Sequence, residues 1–116
     1  MNWTHQEIEE FRLEALELLS RAERSLLLLK VGDDDNSHGP TIYRAFHKLR
    51  GLAGMLELAR LQSHMSRLET FVEGGDSHVD GSELADFLLK GCDIARVMVG
   101  QVRPVGHSSG IQGRGL

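Results

Sequence analysis

The sequence predicts an all-α protein, an antiparallel up-and-down four-helix bundle with a flexible C-terminal tail. The composition is rich in leucine, and only 5% of the residues are aromatic, which is typical of helices rather than of β-sandwiches or barrels. Apolar residues recur at steps of three and four in four successive segments, which indicates four amphipathic helices. A chain of 116 residues suffices for one hydrophobic core. We therefore expect one domain over residues 1–103 and a tail or linker over residues 104–116.

The first predicted helix begins at a capping box. The Thr4 hydroxyl can accept a hydrogen bond from the amide of Glu7, while the Glu7 carboxylate accepts one from the amide of Thr4. An apolar stripe follows and reaches to about Lys30, with members Ile8, Phe11, Ala15, Leu18, Ala22 and Leu29. The sequence thus predicts one long helix.

The second predicted helix covers about residues 40–57. Before it, residues 32–39 read GDDDNSHG, which has no periodicity, consists of turn formers and lacks the ligand pattern of a calcium-binding loop. Pro40 suits the first turn of a helix, where its missing amide costs nothing. Its apolar stripe consists of Ile42, Phe46, Leu49, Ala53 and Leu56.

Two further helices complete the predicted bundle. The stripe of the third ends at Gly74 and Gly75, which permit the left-handed backbone at a helix end. The fourth begins at a second capping box, Asp80 with Glu83, and stops before Pro104. The apolar stripe of the third helix is Leu58, Leu61, Met65, Leu68 and Val72, and that of the fourth is Leu84, Phe87, Leu88, Ala95, Met98 and Val102. The glycine-rich residues 104–116 are expected to be disordered.

The charge and composition of the chain argue against several classes of function. The formal net charge of −4 provides no positive field for nucleic acid or an anionic membrane. The start lacks a signal peptide, no apolar run approaches the length of a membrane span, and the single Cys92 excludes an internal disulfide. The spacing of the histidines matches no metal site. We expect a monomeric cytoplasmic domain that has no metal or cofactor and binds neither nucleic acid nor membrane.

The informative residues lie on the second helix, away from its apolar stripe. Tyr43, His47, Arg50, Gly51 and Gly54 follow one another at steps of one, three and four and share one face. Glycine inside a helix costs about 1 kcal/mol relative to alanine, so two glycines within four residues require a reason. One reason is access of a partner to the ring of His47, and the other is close packing of a second helix.

This face suggests a histidine that accepts a phosphoryl group. A neutral imidazole is a nucleophile at neutral pH, and the cations Lys48 and Arg50 can bind phosphate oxygens. A carboxylate that holds one ring nitrogen would leave the other free to attack. Glu69 is our candidate, because the third helix runs back along the second in an up-and-down bundle. Gln62 or Ser66 could take its place.

The segment AFHKLRGLAG, residues 45–54, resembles the histidine phosphotransfer (HPt) motif. In that motif the phosphorylated histidine is followed three residues later by a basic residue, then by glycine, with a second glycine three residues further on. The leading helix and the Leu68-Glu69 pair are similar to the phosphotransfer domain that begins CheA-type chemotaxis kinases. Two positions differ from the pattern common in those kinases: Glu57 stands where a third glycine is usual, and Ser66 where a second histidine is usual.

The resemblance implies a phosphocarrier rather than an enzyme. His47 would be the phosphorylation site, Arg50 would take the place of the usual lysine, and Glu69 would hydrogen-bond the ring. By the same resemblance, His47 would accept its phosphoryl group from the catalytic domain of a histidine kinase, which uses ATP, or from a receiver. It would pass the group to an aspartate of a response-regulator receiver domain, which has its own Mg²⁺. The alternative is an interaction module with the same fold that regulates a kinase or a response regulator by docking alone.

Overall fold

In the computed structural model, four helices pack side by side in an antiparallel bundle. They are α1 (His5–Lys30), α2 (His38–Met55), α3 (Ala59–Gly74) and α4 (Gly81–Gly100). The structure describes residues 3–74 and 81–103. Each helix packs against its neighbour along the chain, and α1 also packs against α4, which closes the bundle. The predicted all-α bundle is confirmed.

The start of α1 follows the predicted capping box. The Glu7 amide donates to Thr4 Oγ1 at 3.0 Å, and the Thr4 amide donates to Glu7 Oε1 at 2.8 Å. Hydrogen bonding of the carboxylate by Thr4, chiefly by its backbone amide, lowers the pKa of Glu7. The Trp3 indole N–H donates to the Leu56 carbonyl at 3.1 Å, which ties the start of α1 to the end of α2.

The loop before α2 is organised by its own acidic side chains. The Asp33 carboxylate accepts a hydrogen bond from the amide of Asp35 at 3.0 Å, and the Asp35 carboxylate accepts one from the amide of Ser37 at 2.9 Å. Such turns satisfy backbone donors locally. α2 begins at His38 rather than near Pro40, two residues earlier than expected.

α2 ends at Met55, two residues before the expected end, because the chain makes a Schellman turn. The Glu57 amide donates to the Gly54 carbonyl, and the Leu58 amide donates to the Ala53 carbonyl at 2.8 Å. These two bonds require a left-handed residue after the helix. Glu57 takes that conformation with φ of 60°, although it is not a glycine.

The core confirms most of the predicted stripes. Phe46, Ile8, Ile42, Leu49 and Met65 are among its fully buried side chains. One prediction was wrong: Phe87 was assigned to the apolar stripe of the fourth helix, but it is about half exposed and contacts Phe71 instead. α4 presents Leu88 and Cys92 to the core, and this rotation leaves Phe87 at the seam with α3.

Two features of α4 hold it to its neighbours. A Cβ atom built on Gly91 would come within 2.5 Å of Leu68 Cδ2, so the glycine lets α3 and α4 approach closely. On the other side, the Arg96 guanidinium donates to both carboxylate oxygens of Glu23 on α1, at 2.6 and 3.0 Å. This ion pair raises the pKa of Arg96.

Three predictions fall outside the described residues: the capping residue Asp80, the glycine at 75 and the disordered tail over 104–116. In the part of the chain that the structure describes, no helix combines the length and the apolar character that crossing a membrane requires.

Candidate functional site

His47 lies near the middle of α2, at the seam with α3. Phe46 and Leu49 on the same helix are buried in the core, and this fixes the rotation of α2 so that His47 points outward. Its side chain is 54% exposed. The apolar stripe of α2 therefore determines that the imidazole faces solvent.

A buried carboxylate holds one nitrogen of the ring. His47 Nδ1 lies 2.9 Å from Glu69 Oε2, and the Glu69 side chain, on α3, is only 9% exposed. A carboxylate can only accept, so we assign the proton to Nδ1, which donates to Glu69. Within residues 3–74 and 81–103, no group hydrogen-bonds Nε2. The lone pair of the neutral ring then lies on the exposed Nε2.

Arg50 joins the same carboxylate. Its Nε lies 3.3 Å from Glu69 Oε2, and its Nη2 lies 3.2 Å from His47 Nδ1. Since the Nδ1 proton points to Glu69, the contact of the guanidinium with the ring is a close approach rather than a second donated bond. Arg50 thus neutralises the buried Glu69 and lies on the Nδ1 side of the ring in this state.

Tyr43 packs on the ring of His47 from the preceding turn. The two ring centroids are 5.7 Å apart and the ring planes differ by 16°, which is a stacked arrangement. The sequence spacing predicts that Tyr43 shares this face of α2 but does not predict its role. The signal was present in the spacing, because residues four apart on a helix are neighbours. The stacking restricts rotation of the imidazole.

The two glycines of the motif have different surroundings. A Cβ atom built on Gly51 would meet nothing within 4 Å, so one turn from His47 the surface of α2 is open. A Cβ atom on Gly54 would lie 2.7 Å from Gln62 Nε2. Of the two reasons considered for the glycines, the open surface at Gly51 fits access of a partner, whereas Gly54 lies in a helix–helix contact.

The remaining candidates lie apart from the ring. Lys48 pairs with Glu14 of α1 at 3.3 Å, which directs its ammonium group away from the cluster of His47, Arg50 and Glu69. Gln62 lies against Gly54, and the carbonyl of Ser66 accepts a hydrogen bond from the Thr70 hydroxyl within α3. Of the three residues considered for the ring, Glu69 is the one whose side chain contacts it.

No metal site or reactive thiol accompanies this cluster in the described segments. Among residues 3–74 and 81–103, no group of three His, Cys, Asp or Glu side chains could hold a metal ion. Cys92 is buried, as the sequence predicted, and burial raises the pKa of its thiol to about 12. The reactive and charged groups that the structure places together here are the imidazole of His47, the Glu69 carboxylate and the Arg50 guanidinium.

Comparison with known proteins decides the family. A family model described as "Hpt domain" matches residues 6–100, which is most of the chain. The chain belongs to the Hpt domain family. Members of this family are histidine phosphotransfer modules of two-component signalling, and they carry phosphoryl groups rather than catalyse reactions. The resemblance in residues 45–54 is thus confirmed at the level of the whole domain.

A solved structure supports the same assignment for the fold of this Hpt domain. The chain is similar to the phosphorylated P1 domain of CheA3 from R. sphaeroides, whose crystal structure was determined in complex with CheY6. The TM-score is 0.74 at 26% sequence identity, and the alignment covers 81% of this chain and 75% of the other. A comparison with curated protein sequences finds no match.

Proposed function

We propose that His47 is the phosphoryl acceptor of this Hpt domain and that Nε2 is the attacking atom. The observation that carries the proposal is the pairing of an exposed imidazole with a buried carboxylate: Nδ1 is held by Glu69 at 2.9 Å. This contact fixes the tautomer and aims the lone pair of Nε2 away from the protein.

In the forward step, the Nε2 lone pair forms a bond to phosphorus. The bond from phosphorus to the oxygen of the leaving nucleoside diphosphate breaks, and that oxygen keeps the electron pair. The ring then has substituents on both nitrogens and a positive charge, which the Glu69 carboxylate stabilises through the Nδ1 proton. In the transfer step, a carboxylate oxygen of the receiver attacks phosphorus, and the P–N electron pair returns to the ring.

Arg50 and Gly51 serve this chemistry from the next turn. Arg50 lies beside the ring and is about one-third exposed, so its long side chain can rotate from Glu69 toward phosphoryl oxygens once they are present. Gly51 leaves room for the active site of a partner. Lys48 pairs with Glu14 on α1 while the histidine is unphosphorylated, and this exposed ion pair is weak enough to exchange for phosphate oxygens.

We infer two partners, the catalytic domain of a histidine kinase with ATP and a receiver domain that brings its own Mg²⁺. The inference of a receiver is supported by the similar P1 domain of CheA3, which was crystallised with CheY6. The inference of a kinase rests on the resemblance to the phosphotransfer domain of CheA-type kinases, whose histidine takes phosphate from ATP through a separate kinase domain. The domain itself contributes the nucleophile and the docking surface.

The test uses the 116-residue chain, ATP labelled at the γ-phosphate and the catalytic core of a CheA-type kinase. We expect acid-labile label on the wild-type chain and on His5→Gln, a control at the exposed start of α1, and none on His47→Gln. Addition of a receiver with Mg²⁺ should remove the label. Label retained on His47→Gln would refute the assignment of the site. If the wild type takes up no label from several kinases or from phosphorylated receivers, the domain acts by docking alone.

A further inference from the structure

A groove runs along the other side of α3, where that helix meets α4. Its volume is about 600 Å³. The buried side chains of His64 and Leu68 and the backbone of Gly91 form its floor, and the ring of His64 hydrogen-bonds the Gly91 carbonyl through Nε2 at 2.9 Å. This bond and the close approach at Gly91 hold the two helices together beneath the groove. The floor is therefore a fixed part of the bundle.

The walls of the groove are apolar and unusually exposed. Phe71 on α3 and Phe87 on α4 are 48% and 46% exposed, and Ile94, two turns after Phe87 on α4, is half exposed. The two phenyl rings contact each other edge to face, with centroids 4.7 Å apart. Contiguous apolar surface of this kind marks binding sites on soluble proteins. The groove offers a partner two ordered aromatic side chains.

Cations border this apolar surface. Arg67 on α3 and Lys90 on α4 line the groove from opposite sides, and Arg60 lines its extension toward the start of α3. Within residues 3–74 and 81–103, none of the three forms an ion pair. Asp86, one turn before Lys90, is paired with Lys30 of α1 at 2.8 Å instead. The border is thus positively charged on a chain whose net charge is −4.

We propose that this groove docks an acidic amphipathic helix of a partner protein, at a site separate from the one around His47. The apolar stripe of that helix would cover Phe71, Phe87 and Ile94, and carboxylates on both flanks would pair with Arg67 and Lys90. A concave seam between two helices accommodates the ridge of a third helix. The complementary charge would determine which helices bind and in which register.

Charge and shape disfavour two other occupants of the groove, a second copy of the chain and an anionic membrane. A second copy related by a two-fold axis would place the same cations against one another. A flat anionic membrane fits a concave seam poorly, and the acidic chain as a whole is repelled by it. An acidic helix satisfies both the apolar walls and the charged border.

The test titrates designed helical peptides into the full chain. One peptide carries leucines at helical spacing with glutamates on both flanks, a second has lysines in place of the glutamates, and a third keeps the glutamates but has alanines in place of the leucines. We expect the first to bind and to shift the backbone amide NMR signals of α3 and α4 around the groove. The second and third should bind at least about tenfold more weakly.

Charge reversal provides the decisive comparison. The double variant Arg67→Glu, Lys90→Glu should lose about tenfold or more in affinity for the glutamate peptide and gain affinity for the lysine peptide. The matched control Arg24→Glu, Arg44→Glu changes the net charge equally at exposed positions on α1 and α2 and should behave as the wild type. Phe71→Ala with Phe87→Ala should abolish binding, while far-ultraviolet circular dichroism verifies that the bundle is folded.

Several results would overturn the proposal. Equal binding of the glutamate and lysine peptides would show that charge does not select the partner. An equal loss of affinity in Arg67→Glu, Lys90→Glu and in the control Arg24→Glu, Arg44→Glu would show that the peptide does not bind in the groove. Signal shifts confined to α2 would place the peptide at the His47 face. Sedimentation of the chain as a dimer that Arg67→Glu, Lys90→Glu dissociates would make a second copy the occupant. Binding to vesicles of phosphatidylserine that is lost in that variant would assign the surface to a membrane. Phosphorylation of His47 is independent of all these outcomes.

Discussion

Substitution of Gly51 should change the stability of the domain and its phosphotransfer activity in opposite directions. It lies inside α2 one turn from His47, and a Cβ atom at this position would meet nothing within 4 Å. Replacing glycine with alanine in a helix interior gains about 1 kcal/mol, and with glutamine about half as much. No clash offsets the gain, because the space is open. Both Gly51→Ala and Gly51→Gln should therefore raise the urea concentration at which the domain unfolds.

The same substitutions should slow phosphotransfer, and the larger glutamine side chain should slow it more than alanine. If a partner's active site covers the surface at Gly51, the glutamine side chain must be accommodated in a closely packed interface. Overpacking of this kind costs roughly 1–3 kcal/mol, which corresponds to a decrease in kcat/KM of about 5- to 150-fold. Gly51→Ala should retain most of the activity. The assay is the rate of transfer from labelled kinase to the domain, and from the labelled domain to a receiver.

Two controls show whether the glycine acts through the partner. Gly100→Gln adds the same side chain at another open helical position, far along α4, and should leave transfer unchanged. Phosphoramidate is a donor small enough to reach Nε2 of His47 without a protein interface, and it should phosphorylate wild type and Gly51→Gln at similar rates. Wild-type transfer in Gly51→Gln would refute the role in access. An equal loss with phosphoramidate would mean that the substitution acts on the ring itself.

Three further predictions concern single groups. Glu69→Gln should slow phosphorylation of His47 by about 10- to 100-fold, because a neutral amide cannot stabilise the charged ring, whereas Glu73→Gln on the same helix should not. Glu57→Gly should raise the free energy of unfolding in urea by about 0.8 kcal/mol, because a left-handed strain of about 1.5 kcal/mol is relieved at an entropy cost for glycine of about 0.7 kcal/mol. An unchanged or lower urea midpoint would contradict this. Burial raises the pKa of the Cys92 thiol from 9.0 to about 12. The thiol should therefore react with iodoacetamide at pH 8 only as fast as the domain unfolds. The free energy that the buried, protonated thiol contributes to folding should fall as the pH rises from about 9 toward 12. Rapid alkylation of the folded protein would contradict the burial.

The helices could be predicted from the sequence because their signals are local. The capping box at Thr4 and Glu7 needs only four consecutive residues, and the stripe through Ile42, Phe46 and Leu49 needs only one helix. The predicted end of α2 was less accurate, because the Schellman turn there has Glu57 in the left-handed position, where a glycine would have been the usual sequence signal. The exposure of Phe87 also escaped prediction, because a periodic stripe does not reveal how its helix is rotated against its neighbours.

For the site too, the sequence predicted the arrangement of residues within one helix but not the contacts between helices. His47, Arg50 and Gly51 lie within five residues, so helical geometry alone places them on one face. The contact of Glu69 with the ring spans 22 residues and was one of three alternatives before the packing of α3 on α2 was known. The pairing of Lys48 with Glu14 on another helix could not be inferred from the motif.

The sequence by itself determined that this chain folds as an Hpt bundle and that the outer face of α2 bears its histidine, because helix periodicity and caps act over a few residues. Only the tertiary structure decided the partners of those side chains. Packing of α3 brought the buried Glu69 to Nδ1 and turned Arg50 to the same carboxylate, and the rotation of α4 exposed Phe87 beside Phe71. Such contacts join residues distant in sequence, and their geometry follows from how the buried faces of four helices fit together.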